Sequence, residues 1–115
     1  MFGFENLEVW KRSCRLAVDL YRTLSACNDA GLKSQMTRAA VSIPSNIAEG
    51  YERRGSREYL HFLTIAKGSA GELRTQLYIA SSIGAIDSAK VSAMVSELKE
   101  ISSMLQAIIA KLQER

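Results

Sequence analysis

The stretch RAAVSIPSNIAEGYERRGSREYL, residues 38–60, carries a helical pattern straight across a proline. Apolar residues stay in helical phase on both sides of Pro44, at Ile43, Ile47 and Tyr51. A proline inside a helix removes one backbone hydrogen bond and clashes with the carbonyl four residues earlier, at a cost of about 3 kcal/mol. Because the phase is kept, we predict one kinked helix here rather than two separate helices.

Together with the proline-containing helix, which is helix 2, the chain is predicted to form four helices. Helix 1 is predicted over residues 7–24, helix 2 over about 32–52 and helix 3 over about 56–82, while helix 4 follows Asp87 as its N-cap and continues to the C-terminus. One proline and seven glycines are too few for the many turns of an all-β fold. Four helices joined by short turns predict an all-α, antiparallel up-down four-helix bundle, with residues 1–115 as a single domain.

The apolar residues of predicted helix 1 fall on two faces. One row alternates spacings of three and four and is the predicted core seam: Leu7, Trp10, Cys14, Ala17, Tyr21 and Leu24. A second row, made of Val9, Leu16 and Leu20, lies on nearly the opposite face. Because the surface helix of a monomer is normally apolar on one side only, the second row predicts contact with another copy and therefore a homo-oligomer.

Composition and cysteine usage exclude several classes of protein. A hydrophobic share of 47% argues against disorder, and no apolar run is long enough to span a bilayer. The first residues lack the regions of a signal peptide, so we expect a cytoplasmic protein. Two cysteines and one histidine form no ligand cluster, so neither a metal nor a cofactor is expected. We expect Cys14 in the core and Cys27 as a free thiol near a helix end.

A polar row runs along predicted helix 2 beside its apolar row. Its members are Gln35, Arg38, Ser42, Asn46 and Glu49. Serine and asparagine are mediocre helix formers, so their repeated use favours burial in a polar network. We expect Arg38 to form a buried bidentate pair with Glu72 of helix 3, bridged by Asn46, which would fix the register of the bundle.

The middle of predicted helix 3 is made of small residues. Gly68 and Gly71 each cost roughly 1 kcal/mol relative to alanine inside a helix. We therefore expect another helix to approach closely at this point. The same segment is not a phosphate-binding loop, because it lacks the preceding strand and the Lys-Ser/Thr pair that would follow.

An enzyme is the least favoured of the functions considered. Glu49 or Glu72 could serve as a general acid or base together with His61. No nucleophile, metal-ligand set or phosphate loop accompanies these residues, however. We therefore predict that the chain has no catalytic residues and is not an enzyme.

Positive charge is concentrated around the opening stretch. The chain carries a net charge of +3, and residues 33–57 contain five basic residues against Glu49 and Glu52. Candidate nucleic-acid contacts are the arginines of the turn between helices 2 and 3 and the basic residues on one side of helix 1: Arg53, Arg54, Arg57, Lys11, Arg15 and Arg22. The alternative is that these are ordinary solvated charges.

The sequence RAAVSIPSNIAEGYERRGSREYLHFLTIAKGSAGEL, residues 38–73, closely resembles the four-helix bundle proteins associated with 23S rRNA intervening sequences. The segments FENLEVWKRSCRLAVDLY and SSMLQAIIAKL also resemble that family. The resemblance implies a left-handed antiparallel bundle that assembles into a homopentamer. The hallmark polar and glycine positions of the family correspond to the following residues of this chain: Arg38, Ser42, Asn46, Glu49, Gly50, Gly68, Ser69 and Glu72.

Two functional hypotheses follow. A related branch of the family serves as the accessory protein of diversity-generating retroelements, in which a basic pentamer contacts a reverse transcriptase and nucleic acid. By this resemblance the chain is expected to contact RNA or DNA through a basic surface repeated around an oligomer. The alternative is a structural or adaptor oligomer that binds a protein partner without nucleic acid.

Overall fold

A computed structural model describes residues 3–114 of the chain, and these residues form four helices and no strand. The helices are α1 (Glu8–Thr23), α2 (Ala30–Glu52), α3 (Ser56–Ser82) and α4 (Ser88–Gln113). Short 3-10 turns precede and follow α1. Each helix packs on the next one along the chain, and α1 also packs on α4, so a closed bundle of 45 × 24 × 21 Å results.

The proline-containing segment forms a single helix. Helix α2 runs without a break through Pro44, which is itself buried, so the predicted continuity is confirmed. Ile43 and Ile47, on either side of the proline, have no solvent-accessible surface. Burial of this apolar row against the other helices offsets the backbone hydrogen bond that proline removes.

Helix boundaries follow the capping residues. Asp87 caps α4 by accepting a hydrogen bond from the Lys90 amide, which confirms the predicted N-cap. Asp29 does the same for α2, because its Oδ1 accepts from the Leu32 amide at 3.0 Å. Helix α2 therefore begins at Ala30, two residues before the predicted start. Helix α3 has the predicted bounds.

Both predicted apolar rows of α1 contribute to the core, because the second row is buried and so are Ala17 and Leu24 of the predicted seam. Val9, Leu16 and Leu20 are buried, whereas Tyr21 of the predicted seam is 55% exposed. The buried row also contains Ser13, which is only 1% exposed and donates its hydroxyl to the Val9 carbonyl at 2.7 Å. A serine whose hydroxyl forms this hydrogen bond can occupy a core position. Because Ser13 is polar, a search for apolar residues alone did not identify its row as part of the core.

The outer row of α1 remains partly unpartnered within the subunit. Trp10 and Cys14 are half-buried, so Cys14 is not the core residue that was predicted. Burial raises the pKa of the Cys14 thiol above its usual value. Cys27 is buried, and both cysteines are free thiols.

Helical spacing in the sequence also predicts an apolar core row in each of the other three helices: Leu32, Met36, Ala39, Ile43, Ile47 and Tyr51 in α2; Tyr59, Leu63, Ala66, Ala70, Leu73, Leu77 and Ala80 in α3; and Val91, Met94, Leu98, Ile101, Leu105, Ile108 and Leu112 in α4. The structure agrees with these rows at nearly every position. The inner positions are buried except Ile108 of α4, which is half-buried while its neighbour Ile109 is buried. The first or last residues of a row, such as Leu32, Tyr59 and Leu112, are partly exposed. These long helices bring leucine, isoleucine and alanine side chains together along the whole bundle. None of the helices between residues 3 and 114 combines the length and apolar character needed to cross a membrane.

The close helix contact occurs at a different glycine from the two that were predicted. A Cβ atom added to Gly68 or Gly71 would meet nothing within 4 Å, so both glycines face open space. At Gly50 an added Cβ would lie 2.8 Å from Phe62 Cβ and 3.3 Å from the Tyr59 carbonyl oxygen. Helices α2 and α3 therefore approach each other closely near the turn that joins them.

Candidate nucleic-acid interface

A small polar cluster joins the middles of α2 and α3. The hydroxyl oxygens of Ser42 and Ser69 lie 2.8 Å apart and share a hydrogen bond. The Asn46 side-chain amide donates to the Ser42 hydroxyl at 2.9 Å and to the Ser42 carbonyl at 2.8 Å. All three side chains are partly buried, so the cluster pairs polar groups that helix packing removes from water.

The predicted buried pair between Arg38 and Glu72 is wrong. Both side chains are exposed, and no ion pair joins them within residues 3–114. They line an open cleft together with Ser34 and Gln35, on the outer edge of the contact between α2 and α3. Glu49 is also outside the network, because its carboxylate binds Arg53. The sequence predicts a six-residue polar network of Arg38, Ser42, Asn46, Glu49, Ser69 and Glu72. In the structure, only Ser42, Asn46 and Ser69 bind one another.

The partly buried ion pair of the bundle involves Arg12, which the sequence analysis did not single out. Its guanidinium binds Glu97 of α4 in bidentate fashion, at 2.8 and 2.5 Å, and Glu100 lies 3.2 Å away. The hydrogen bond from Arg12 lowers the pKa of Glu97 from its ordinary value of 4.5. The position of Arg12 next to Ser13, in the row of α1 that is buried, could have indicated this ion pair. The sequence analysis missed it because it assigned that row to a contact with another copy.

The turn between α2 and α3 holds the three arginines that were predicted to contact nucleic acid. Arg53 is engaged within the subunit: its Nε donates to Glu49 at 2.8 Å and its Nη1 to Glu58 at 3.3 Å. Its guanidinium carbon also lies 5.2 Å from the centre of the Phe62 ring. The hydrogen bond to Glu49 raises the pKa of Arg53. Arg53 therefore organises the turn rather than offering a free charge.

Arg53, Arg54 and Arg57 are all exposed, but Arg54 and Arg57 differ from Arg53 because neither forms an ion pair within the part of the chain that the structure describes. Arg54 adopts φ = 63°, in the left-handed region that commonly ends a helix. This conformation carries the chain out of α2 and into α3. The turn thus presents two free guanidinium groups to solvent.

Aromatic rings flank these two arginines. On one side, Tyr51 and Tyr59 meet edge to face at 5.9 Å, and both line a small cleft that contains Arg54. Burial raises the pKa of Tyr59, so its phenol stays neutral. On the other side, His61 and Phe62 line the cleft that contains Arg57. Interleaved rings and cations are typical of surfaces that bind nucleic acid.

The basic residues of α1 do not join this end of the bundle as one patch. Lys11, Arg15 and Arg22 share the exposed side of the helix, as predicted. A rise of about 1.5 Å per residue, however, separates Lys11 from Arg22 by about 16 Å. Arg22 lies in the last turn of α1, which connects to the start of α2. It is therefore at the end of the bundle opposite to the α2–α3 turn.

The excess of positive charge is also less concentrated than the sequence indicated. Lys33 lies near the start of α2, about 30 Å along the helix from Arg53. At the turn itself, the three arginines are accompanied by Glu49, Glu52 and Glu58. The local charge of one subunit is therefore balanced, and the free groups are Arg54 and Arg57 rather than a dense basic cluster.

The acid–base arrangement considered for an enzyme is not assembled. Glu72 lies about three turns along α3 from His61, and the Glu49 carboxylate is bound by Arg53. Within residues 3–114, no group of three or more histidine, cysteine, aspartate or glutamate side chains is placed to hold a metal ion.

Comparisons with known proteins agree with this fold. A model of the 23S rRNA-intervening sequence protein family matches residues 5–107. A crystal structure of a protein of unknown function from the S23 ribosomal protein family of Bacteroides thetaiotaomicron has the same fold, with a TM-score of 0.78 and 24% identity over 88% of this chain and 97% of that one. No curated protein matches the chain significantly. Since the matched region covers α1, α2, α3 and most of α4, this chain belongs to the 23S rRNA-intervening sequence protein family.

Proposed function

We propose that the chain is a non-enzymatic subunit of a homo-oligomer that contacts RNA, or another nucleic acid, through the end of the bundle formed by the α2–α3 turn. The observation that supports this function is the pair of unpaired, exposed guanidinium groups of Arg54 and Arg57, set among four aromatic side chains. Guanidinium groups bind phosphates and stack on bases, so the turn carries both kinds of contact that nucleic acid requires.

Self-association is supported by apolar side chains that the subunit leaves in solvent. Val18 and Tyr21 on α1 are about half exposed, and so is Ile79 on α3. Ile65 of α3 and Ile83, the residue that caps the C-terminus of α3, extend this apolar face on the side away from the core. Apolar faces on opposite sides of a small bundle are suited to packing between copies. The family resemblance implies five subunits.

Oligomerisation would also make weak contacts effective. The turn of one subunit has balanced charge, so a single copy would bind phosphates weakly. Repeating Arg54 and Arg57 around a ring would let several turns bind one RNA at once, which raises the overall affinity without any new contact. We therefore expect RNA affinity to depend on assembly.

A protein partner is the second candidate function. Tyr78 of α3 is about half exposed and lines an open cleft between α3 and α4 with Val91 and Val95. The cleft, which five serines and Lys99 also line, lies at the end of the bundle away from the α2–α3 turn. An adaptor that used it would bind its partner with little dependence on salt, because few charges would be neutralised.

The test is an RNA titration of the oligomer, after its mass has been measured by sedimentation, at about 50 and 200 mM salt. We expect binding that weakens steeply at the higher salt. The double variant Arg54→Ala with Arg57→Ala should bind more weakly and with a shallower salt dependence. Arg22→Ala, at the opposite end of the bundle, is the matched control and should bind like the wild type.

Three results would contradict the proposal or one of its parts. An absence of binding at about 50 mM salt would reject nucleic-acid contact and favour the adaptor. Equal binding by the double variant and the wild type would remove the α2–α3 turn from the contact. A monomeric mass would reject self-association separately, since the apolar faces of α1 and α3 would then have no second copy to cover them.

A further inference from the structure

We infer that the cleft formed by Arg53, Arg57, Glu58, His61 and Phe62 holds an unpaired base, so that the protein prefers single-stranded RNA to duplex RNA. This inference rests on the proposed contact with nucleic acid and adds the kind of strand that is bound. It depends on the arrangement of two rings and one free cation on consecutive turns of α3.

The rings of His61 and Phe62 form the wall of the cleft. Their centres are 5.1 Å apart and their planes are inclined by 73°, so one ring meets the edge of the other. His61 is exposed and Phe62 is half-buried. A planar base can stack on exposed aromatic surface of this kind whatever its sequence.

Arg53 holds the inner side of the cleft in place. Its guanidinium lies over the Phe62 ring and is itself bound by Glu49 and Glu58. These contacts restrict the Phe62 ring before any ligand arrives, which lowers the ordering cost of binding. They also neutralise Glu58, the one acidic side chain that lines the cleft.

Arg57 supplies the free charge at the rim of the cleft. It precedes His61 by four residues on α3, so the two side chains are neighbours on one helical face. Arg57 forms no ion pair in the described part of the chain. A nucleotide could therefore place its phosphate against Arg57 and its base against His61.

A base in an RNA duplex cannot make this contact. Its faces are covered by neighbouring base pairs, and duplex RNA presents mainly phosphates and ribose hydroxyls. A concave, ring-lined cleft next to a single cation fits a splayed base better than a regular helix. Phosphate contacts alone would not distinguish single-stranded RNA from duplex RNA so strongly.

The test compares three ligands by fluorescence anisotropy at about 50 mM salt. They are a single RNA strand of about 12 nucleotides, a strand of equal length with abasic ribose spacers, and the matched duplex. We expect the wild-type oligomer to bind the intact strand about five- to a hundred-fold more tightly than the abasic strand. His61→Ala should reduce this ratio, while His61→Phe should retain it.

The outcomes separate this inference from the function on which it rests. Equal affinity of the wild type for intact and abasic strands would overturn the base-binding cleft and leave phosphate contact intact. An unchanged ratio in His61→Ala would overturn it as well. If no RNA binds at about 50 mM salt, the proposed function fails, and the cleft with it. Thr75→Ala, an exposed α3 residue away from the cleft, is the control and should behave like the wild type.

Discussion

The contact between α2 and α3 and the contact between α1 and α4 are held together by different means. Helices α2 and α3 contain 23 and 27 residues and pack along their lengths with Ile43, Ile47 and Leu73 fully buried. Helix α1 has only 16 residues, and its contact with α4 includes the bidentate pair of Arg12 and Glu97.

The difference shows how helix length changes the role of polar side chains. Between α2 and α3 the apolar area is large, so the Ser42–Ser69 hydrogen bond can fix register without supplying much stability. Between α1 and α4 the apolar contact is shorter, and a partly buried guanidinium–carboxylate pair fixes the position of α1. The first contact should be insensitive to pH, whereas the second should respond to it.

Shortening a side chain in the α2–α3 contact should have the largest effect. Leu73 is completely buried, so Leu73→Ala removes apolar contacts and leaves a cavity. We expect a loss of about 2–5 kcal/mol in the free energy of unfolding, measured by urea denaturation. A loss well below this range would show that α2 and α3 can close around the gap, contrary to the packing seen here.

Enlarging a side chain where the same contact is tight, at Gly50, should have the next largest effect. An added methyl at Gly50 would lie 2.8 Å from Phe62 Cβ, so Gly50→Ala should destabilise the protein by roughly 1–3 kcal/mol. Gly71→Ala is the matched control: its methyl meets nothing within 4 Å, so it should stabilise the subunit by about 1 kcal/mol. Thermal unfolding of both variants checks the prediction, and shifts of the same sign would contradict it.

Breaking the ion pair of the α1–α4 contact should have a pH-dependent effect. We expect Glu97→Gln to destabilise the protein by roughly 1–3 kcal/mol at neutral pH, because it weakens a charge-assisted hydrogen bond. The folded pKa of Glu97 lies below its ordinary value of 4.5, so the unfolded chain takes up a proton first as the pH falls. The stability that the Glu97 carboxylate contributes is therefore fully present above pH 4.5 and is lost as the pH falls through the pKa of Glu97 in the folded protein.

The check on the ion pair is a series of urea denaturations of wild type and Glu97→Gln across acidic and neutral pH. The difference in unfolding free energy between wild type and Glu97→Gln should decrease as the pH is lowered. Ser42→Ala, which lacks a titrating group, should show a difference that does not change with pH. A constant difference for Glu97→Gln would mean that the carboxylate of Glu97 does not stabilise the contact.

The hydroxyl pair between α2 and α3 should have the smallest effect. We expect Ser42→Ala and Ser69→Ala to cost about 0.5–1.5 kcal/mol each, with a coupling of similar size in the double variant. A double-mutant cycle by urea denaturation measures this coupling. If the two losses simply add, the hydrogen bond does not join α2 to α3 energetically.

Much of the fold was predictable because local rules and packing agree along three of the four helices. The bounds of α3, the cap at Asp87 and the continuity of α2 through Pro44 all follow from periodicity and capping chemistry. The faces of α1 were misassigned, since Ser13 occupies a core position by donating to the Val9 carbonyl. A pattern of apolar residues does not show which polar side chains can be buried because they form a hydrogen bond within the helix.

The candidate site was predictable only in part, for a related reason. The position of Arg53, Arg54 and Arg57 at a helix turn was read correctly, but the ion pairs that occupy Arg53 depend on the geometry of the turn. The expected burial of Arg38 and Glu72 failed because the helical stripe that carries them lies at the outer edge of the α2–α3 contact. The sequence shows which side chains share one face of a helix. Whether that face is buried or exposed depends on where the neighbouring helix packs.

The amino-acid sequence specifies the four helices of this protein, their caps and most of the core rows, because those features arise from residues within a few positions of one another. The pairing of side chains distant in the chain arises only when the helices pack. Arg12 and Glu97 are 85 positions apart, and Ser42 and Ser69 are 27 apart. Which charges are neutralised and which stay free is settled by that packing, since electrostatic and hydrogen-bond contacts depend on distance in space rather than along the chain.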